Sequence, residues 1–263
     1  MRFQRRATLL LILFAAPAAA RDYCPDRPGI GTPPCTIEPG KLSVEISGAD
    51  WTLDKTPDAR TDTILAGDLA LRYGIADHAE LRLGWTPYGH VRSRDIATGA
   101  IDRQGGAGDV TIGLKRNLVD PEGKGFSIAL LPSVSLPVGG QAIGAGDWGA
   151  SFAVPLSVPL SNAISLGLTP QVDAAVNQNR HGRHLAYDLA GGFSIAATDR
   201  LNLAIEAELL RDDDPDGATT QAIAGASAGL MLGDDVQIDA GSEVGLNGDT
   251  PDLRVYVGLS RRF

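Results

Sequence analysis

From Lys41 to Phe263 the chain repeats one pattern: apolar residues recur at every second position in segments of about ten, divided by clusters of Gly, Asp, Asn and Pro. Leu201, Leu203, Ile205, Ala207 and Leu209 alternate with Asn202, Ala204, Glu206 and Glu208. Leu253, Val255, Val257 and Leu259 alternate in the same way with Arg254, Tyr256, Gly258 and Ser260. Successive side chains on a strand point to opposite faces, so each segment predicts a strand with one apolar face and one polar or small face. Strands are expected near 42–53, 62–75, 79–92, 108–117, 125–138, 148–160, 163–177, 185–197, 200–211, 219–232, 235–246 and 252–263. Their number is even, and their length suits a membrane crossing by tilted strands.

The connections sort into two kinds. Short turns are expected at 76–78, 118–124, 161–162, 198–199 and 233–234, and longer polar loops around 54–61, 93–107, 139–147, 178–184, 212–218 and 247–251. Long and short alternate without a break, which places both termini on the short-turn side, the periplasmic side of an outer-membrane barrel. A soluble β-sandwich would also alternate, so the positions of the aromatics decide. Trp51, Trp85, Trp148 and Tyr187 fall near the long-loop ends, and Tyr73, Phe126 and Phe263 near the short-turn ends. All but Trp51 share parity with the apolar face of their strand, as two interfacial girdles require, and Trp51 predicts a bulge. Pro132, Pro137, Pro155, Pro159 and Pro170 fall inside the expected strands five to seven. Proline cannot donate to a ladder, so bulges, strand ends or a lateral gap are expected there.

The first twenty residues read as a secretory signal peptide: Arg2, Arg5 and Arg6, an apolar run over 7–16, and Ala18-Ala19-Ala20 before the cut. Cleavage removes three arginines and no acid, which moves the formal charge from −9 to −12. An acidic chain of this kind gives no reason to expect nucleic acid as a partner. Beyond residue 20 every apolar stretch is broken within a few residues, so no spanning helix is expected. Export puts Cys24 and Cys35 in an oxidising compartment, and a small disulfide loop is expected to staple an otherwise loose periplasmic segment, 21–40, ahead of a barrel over 41–263. No cofactor is expected.

The terminal run Tyr256-Val257-Gly258-Leu259-Ser260-Arg261-Arg262-Phe263 resembles the signal read by the bacterial outer-membrane assembly machinery, with Tyr256, Gly258 and Phe263 at the matching positions. Arg261 departs from it, because an apolar or aromatic residue is usual there. Cys24-Pro25-Asp26-Arg27-Pro28-Gly29, the run 106–115, the run 130–139 and Gly146-Asp147-Trp148 resemble the outer-membrane family labelled "putative MetA-pathway of phenol degradation". The resemblance implies an all-β transmembrane antiparallel up-and-down barrel, and suggests a transporter for small hydrophobic or aromatic solutes.

If the apolar face meets lipid, the other face lines the lumen. The acids expected there are Glu45, Asp68, Glu80, Asp109, Asp147, Asp173, Asp188, Glu206, Glu208, Asp239 and Glu243, and the bases Arg72, Arg82, Lys115 and Arg254. Eleven against four predicts an acidic interior. A barrel of this width has room for a narrow aqueous passage, or for a wall whose charges satisfy one another. An open passage would favour cations and neutral solutes. A non-transporting structural or adhesion barrel is the alternative.

Three other constellations are weaker. His181 and His184 have a spacing that suits a metal but show no third ligand, and the run Asp212-Asp213-Asp214-Pro215-Asp216-Gly217 lacks the downstream Glu of a calcium loop. Both read as solvated outer loops, the acids positioned to bridge lipopolysaccharide through divalent ions, and no metal site is expected. His90, Ser93 and Asp95 could form a hydrolase triad, but without a Gly-x-Ser-x-Gly elbow the chain does not read as an enzyme.

Overall fold

The computed structural model describes residues 21–140 and 142–263, so the expected signal peptide 1–20 lies outside the described residues. The sixteen strands of the described chain belong to one sheet. They are β1 (Leu42–Lys55), β2 (Ala59–Ala66), β3 (Asp68–Ala76), β4 (Ala79–Trp85), β5 (Tyr88–Asp95), β6 (Ile101–Gly106), β7 (Val110–Val119) and β8 (Ser127–Leu136). The second half comprises β9 (Gly149–Ala153), β10 (Leu156–Pro159), β11 (Ile164–Val176), β12 (Arg183–Ala196), β13 (Leu201–Asp212), β14 (Thr219–Met231), β15 (Val236–Gly245) and β16 (Leu253–Arg262).

Breaks at Gly67, Thr86-Pro87, 107–109 and Val154-Pro155 divide four long strands into pairs, so these elements form a closed antiparallel barrel of 12 strands, sealed by β1 against β16. Each register follows the period-two pattern. In the pair β12–β13, Tyr187 faces Arg211 and Leu189 faces Leu209 on one side, while Asp188 faces Leu210 and Ala190 faces Glu208 on the other.

The barrel is inverted relative to a soluble protein. Ile205 is 61% exposed and Leu209 58%, while the largest fully buried side chains are Arg72, Lys115, Glu45 and Glu80. Apolar residues that water would expel to the interior are stable outward only against hydrocarbon, so the outer belt faces lipid. Trp85, Trp148 and Tyr187 at one end, and Tyr73, Phe126 and Phe263 at the other, are all exposed on it. Trp51 is restored to the outer face by a register shift between Ser47 and Ala49, the bulge its parity predicted.

Two expected loops are shorter than their polarity suggested. β1 and β2 continue to Lys55 and Ala59, and β5 and β6 to Asp95 and Ile101, so 54–61 and 93–107 are mostly hairpin. Cross-strand polar pairs hold them, including Thr61 with Ser93 at 3.2 Å and Asp62 with Arg92 at 3.5 Å. The prolines occupy tolerated places for the most part: Pro137 follows β8, Pro155 lies in the β9–β10 break and Pro159 ends β10. Pro132 and Pro170 lie within β8 and β11, opposite Phe152 and Leu189. β9 and β10 pair with both neighbours, and the break between them is bridged by Ala129 N–H to the Pro155 carbonyl and Val154 N–H to the Pro170 carbonyl, each at 2.8–2.9 Å. The ladder therefore continues across the proline cluster, and the lateral gap expected there is absent among the described residues.

Candidate functional site

Segment 21–40 is not loose. It lies inside the barrel at the short-turn end and touches inner-face side chains around the ring. Asp26 pairs with Arg82 of β4, while the Gly31 N–H donates to Glu206 of β13 at 3.0 Å. These strands sit half a circuit apart in the ring, so the segment spans the lumen as a plug. The sequence could not announce this: 21–40 has neither strand nor helix periodicity, and its Pro and Gly content reads as a linker.

The plug is held by its backbone as much as by its side chains. Ile30 and Gly31 donate N–H groups to the two Glu206 oxygens at 3.0 Å each, and Asp26 and Arg27 donate theirs to Glu45 at 3.0 Å. Lys115 donates to the carbonyls of Pro33 and Cys35, Asn117 to that of Pro34, and Gln237 to that of Arg27. A segment without secondary structure must find partners for its buried polar groups, and the inner face supplies them. Cys24 and Cys35 are disulfide-bonded, as the spacing and compartment predicted, with Cα atoms 6.5 Å apart. Gly29 adopts φ +130°, and a Cβ there would lie 2.7 Å from Glu206 Oε2, so the close approach to that carboxylate needs glycine.

At the centre lies a neutral cluster of six charges, three of each sign, of which Glu45, Arg72, Glu80 and Lys115 are fully buried. The Arg72 guanidinium donates to Glu80 at 2.8 Å and Glu45 at 3.1 Å and pairs with Asp26 at 3.1 Å. Lys115 pairs with Asp26 at 3.0 Å and Glu80 at 3.5 Å, and Arg82 completes the set against Asp26. Burial alone would raise the Asp26 carboxyl, but Arg72, Arg82 and Lys115 outweigh it and hold that group well below the usual carboxylate range. Burial and the neighbouring Glu45 push the Tyr23 hydroxyl up, so it stays protonated and shares a 2.6 Å hydrogen bond with Ser43.

The expected lumen residues separate into distinct groups. Glu45, Arg72, Glu80, Arg82, Lys115, Glu206 and Asp239 grip the plug, Asp239 through a bidentate contact with Arg27. Arg254 bridges Glu243 at 3.0 Å and Asp50 at 2.6 Å. Asp68 accepts from the Thr86 hydroxyl at 2.7 Å, and Asp173 from Gln171 at 3.1 Å. Asp173, Asp188 and Glu208 form one wall across β11, β12 and β13, and no cation pairs with them among the described residues. Two acids depart from the expected wall. Asp109 lies in the β6–β7 break and accepts N–H groups of Gly139 and Ala145, and Asp147 lies before β9, paired with Arg183 at 2.8 Å beside the outward Trp148. Parity fails for both because neither is in a strand.

Parity also missed Asp50, which after the bulge is buried and inward. Tyr256, on the inner face as its parity placed it, stands between the Arg27 and Arg254 guanidiniums at 5.3 and 5.1 Å. Gly258 leaves space that Arg27 fills, and Phe263 pairs its backbone with Leu42 at the seam. These three positions of the terminal run therefore also hold the plug and the seam. Arg261 lies over the Phe263 ring at 4.6 Å.

Above the plug, a cavity of about 330 Å³ opens at the long-loop end, lined in part by Ser135, Ser151, Asp173, Leu210 and Asp212. A smaller one of about 120 Å³ lies between Ala70, Arg82, Thr111 and Ser133. His90, Ser93 and Asp95 do not converge. His90 is opposite Ile64, Ser93 is on the other face against Thr61, and Asp95 accepts from Thr98 at 2.7 Å.

The fold is similar to that of an outer membrane channel from Pseudomonas putida F1, with TM-score 0.71 and 12% identity over 94% of this chain and 100% of that one. It is also similar to the KdgM porin, with TM-score 0.52 and 10% identity over 85% and 99% of the two chains. The translocator domain of the autotransporter NalP from Neisseria meningitidis gives TM-score 0.55 and 14% identity over 85% and 88%. Among curated proteins none matches the chain. The model of the family described as "Putative MetA-pathway of phenol degradation" matches residues 25–263, from the plug through the last strand, and the chain belongs to that family.

Proposed function

We propose that the protein is an outer-membrane channel for passive passage of small solutes, with cations and neutral molecules favoured and residues 21–37 limiting the flow. The observation that carries this reading is the unpaired acidic wall of Asp173, Asp188 and Glu208, of which Asp173 lines a cavity of about 330 Å³ that opens at the long-loop end. A wall built only for packing would neutralise these acids, as the plug level does with its own. Small aromatic solutes as cargo rest on the family description alone, since the inner face itself is polar. The reading places the girdled belt in lipid, the acidic outer loops against lipopolysaccharide and the terminal run with the assembly machinery.

Purified protein in a planar bilayer is expected to give small, cation-preferring conductance, and deletion of 21–37 to enlarge it. The plug equally suits a second reading, a sealed structural barrel. Absence of conductance from both proteins, with no solute uptake by proteoliposomes, would establish that reading instead.

A further inference from the structure

The long-loop rim brings together two motifs that lie apart in the sequence. The His184 side chain, at the start of β12, is 5% exposed, and Asp214, just past β13, is 2% exposed. Asp212, at the end of β13, completes a group of three whose ligand atoms lie within 4.8 Å of one another.

The hydrogen bonds around His184 fix its tautomer. Asn177 donates its amide N–H to the His181 carbonyl at 2.7 Å, so its oxygen is the atom that faces His184 Nδ1 at 3.0 Å. That oxygen only accepts, and Nδ1 therefore carries the proton. In the neutral imidazole Nε2 is then a bare lone pair. It is buried without a hydrogen-bond partner, 2.8 Å from Asp212 Oδ1, which is also only an acceptor. Two acceptors facing each other at this distance call for a positive charge between them. Adjacent ligands of one divalent ion at about 2.0–2.1 Å stand about 2.9 Å apart at an octahedral right angle and about 3.3 Å apart in a tetrahedron, so the pair needs to open by only a few tenths of an ångström at most. The supporting contacts match a metal site: Asp214 accepts N–H groups of Gln178 and Asp216 at 2.7 Å, and Asp212 accepts that of Asp214 at 3.0 Å.

We propose that His184 Nε2, Asp212 and Asp214 bind a divalent transition metal of the zinc class at the outer mouth. Imidazole with two carboxylates suits Zn²⁺, Co²⁺ or Ni²⁺ and not the oxygen-only preference of Ca²⁺ or Mg²⁺. The ion would tie loop 177–182 to loop 213–218 and place positive charge at Asp212, a lining residue of the larger cavity. His181, which the sequence pairs with His184, takes no part.

Zn²⁺ titrated calorimetrically into the chelator-stripped full-length barrel in detergent is expected to bind at one equivalent with micromolar affinity. His184→Asn and Asp212→Asn should each weaken it about tenfold or more, and His181→Asn should leave it unchanged. Folding of each variant is read from its altered gel mobility before boiling. Co²⁺ bound to the unmutated protein should give a visible absorption band that one equivalent of Zn²⁺ removes, with millimolar Ca²⁺ ineffective. No Zn²⁺ uptake below millimolar, or equal binding by folded His184→Asn, would overturn the proposal and leave an imidazolium between the two acids.

Discussion

The Arg27 guanidinium in the plug grips the Asp239 carboxylate of β15 at 2.8 and 3.3 Å, across 212 residues of sequence. The Asp239 side chain is fully buried, so removing its partner leaves an uncompensated charge. Arg27→Ala is expected to weaken plug docking by about 2 kcal/mol. Single-channel recording should show it as longer or more frequent high-conductance events. Asp239→Asn should do the same, and the pair together no more than either alone. Additive effects would mean the two residues act separately.

A pH series tests the charge cluster. The Asp26 carboxyl is depressed by Arg72, Arg82 and Lys115 against its burial. A group lowered on folding adds stability above its unfolded value of about 4 and loses it as pH falls through the folded one. Its share of docking is therefore expected to hold from about pH 8 to about 4 and fade only in stronger acid. Protease protection of 21–37, measured across that range, checks it, and a loss centred between pH 5 and 6 would contradict the assignment to Asp26.

Both the expected strands and the girdles were legible because lipid outside and polar groups inside impose a strict period of two. The N-terminal segment was not, since its order comes from partners on strands up to 212 residues away and leaves no local period. Asp50 was hidden by the bulge before it, and Asp109 and Asp147 were misplaced because parity has no meaning in a strand break. His184 with Asp212 and Asp214 was unreadable for a different reason: adjacent strands bring the two ends together only through register.

Opening the disulfide tests how far the plug depends on its covalent loop. Cys24 and Cys35 are 11 residues apart, and closing a loop of that size contributes about 3 kcal/mol by chain entropy. The Cys24→Ser, Cys35→Ser double variant is expected to keep a folded barrel by gel mobility while a protease of broad specificity gains access to residues 21–37. Unchanged protection would show that the hydrogen bonds suffice.

Neutralising the wall with Asp173→Asn, Asp188→Asn and Glu208→Gln should reduce cation preference, read as a reversal potential moving toward zero in a salt gradient. Folding should survive, since no ion pair is broken. A preference that remains would assign selectivity to the outer loops.

The plug also constrains the order of assembly. Residues 21–37 are made before every strand of the barrel, yet their partners include Asp239 of β15 and Tyr256 of β16. Contacts of such sequence separation are slow to form, because the entropy of closing nearly the whole chain precedes any gain. The seam between β1 and β16 closes beside the same partners, so the segment must already be in place, or find its way in through the short-turn end. Assembly of this barrel is thus the wrapping of a sheet around its own beginning.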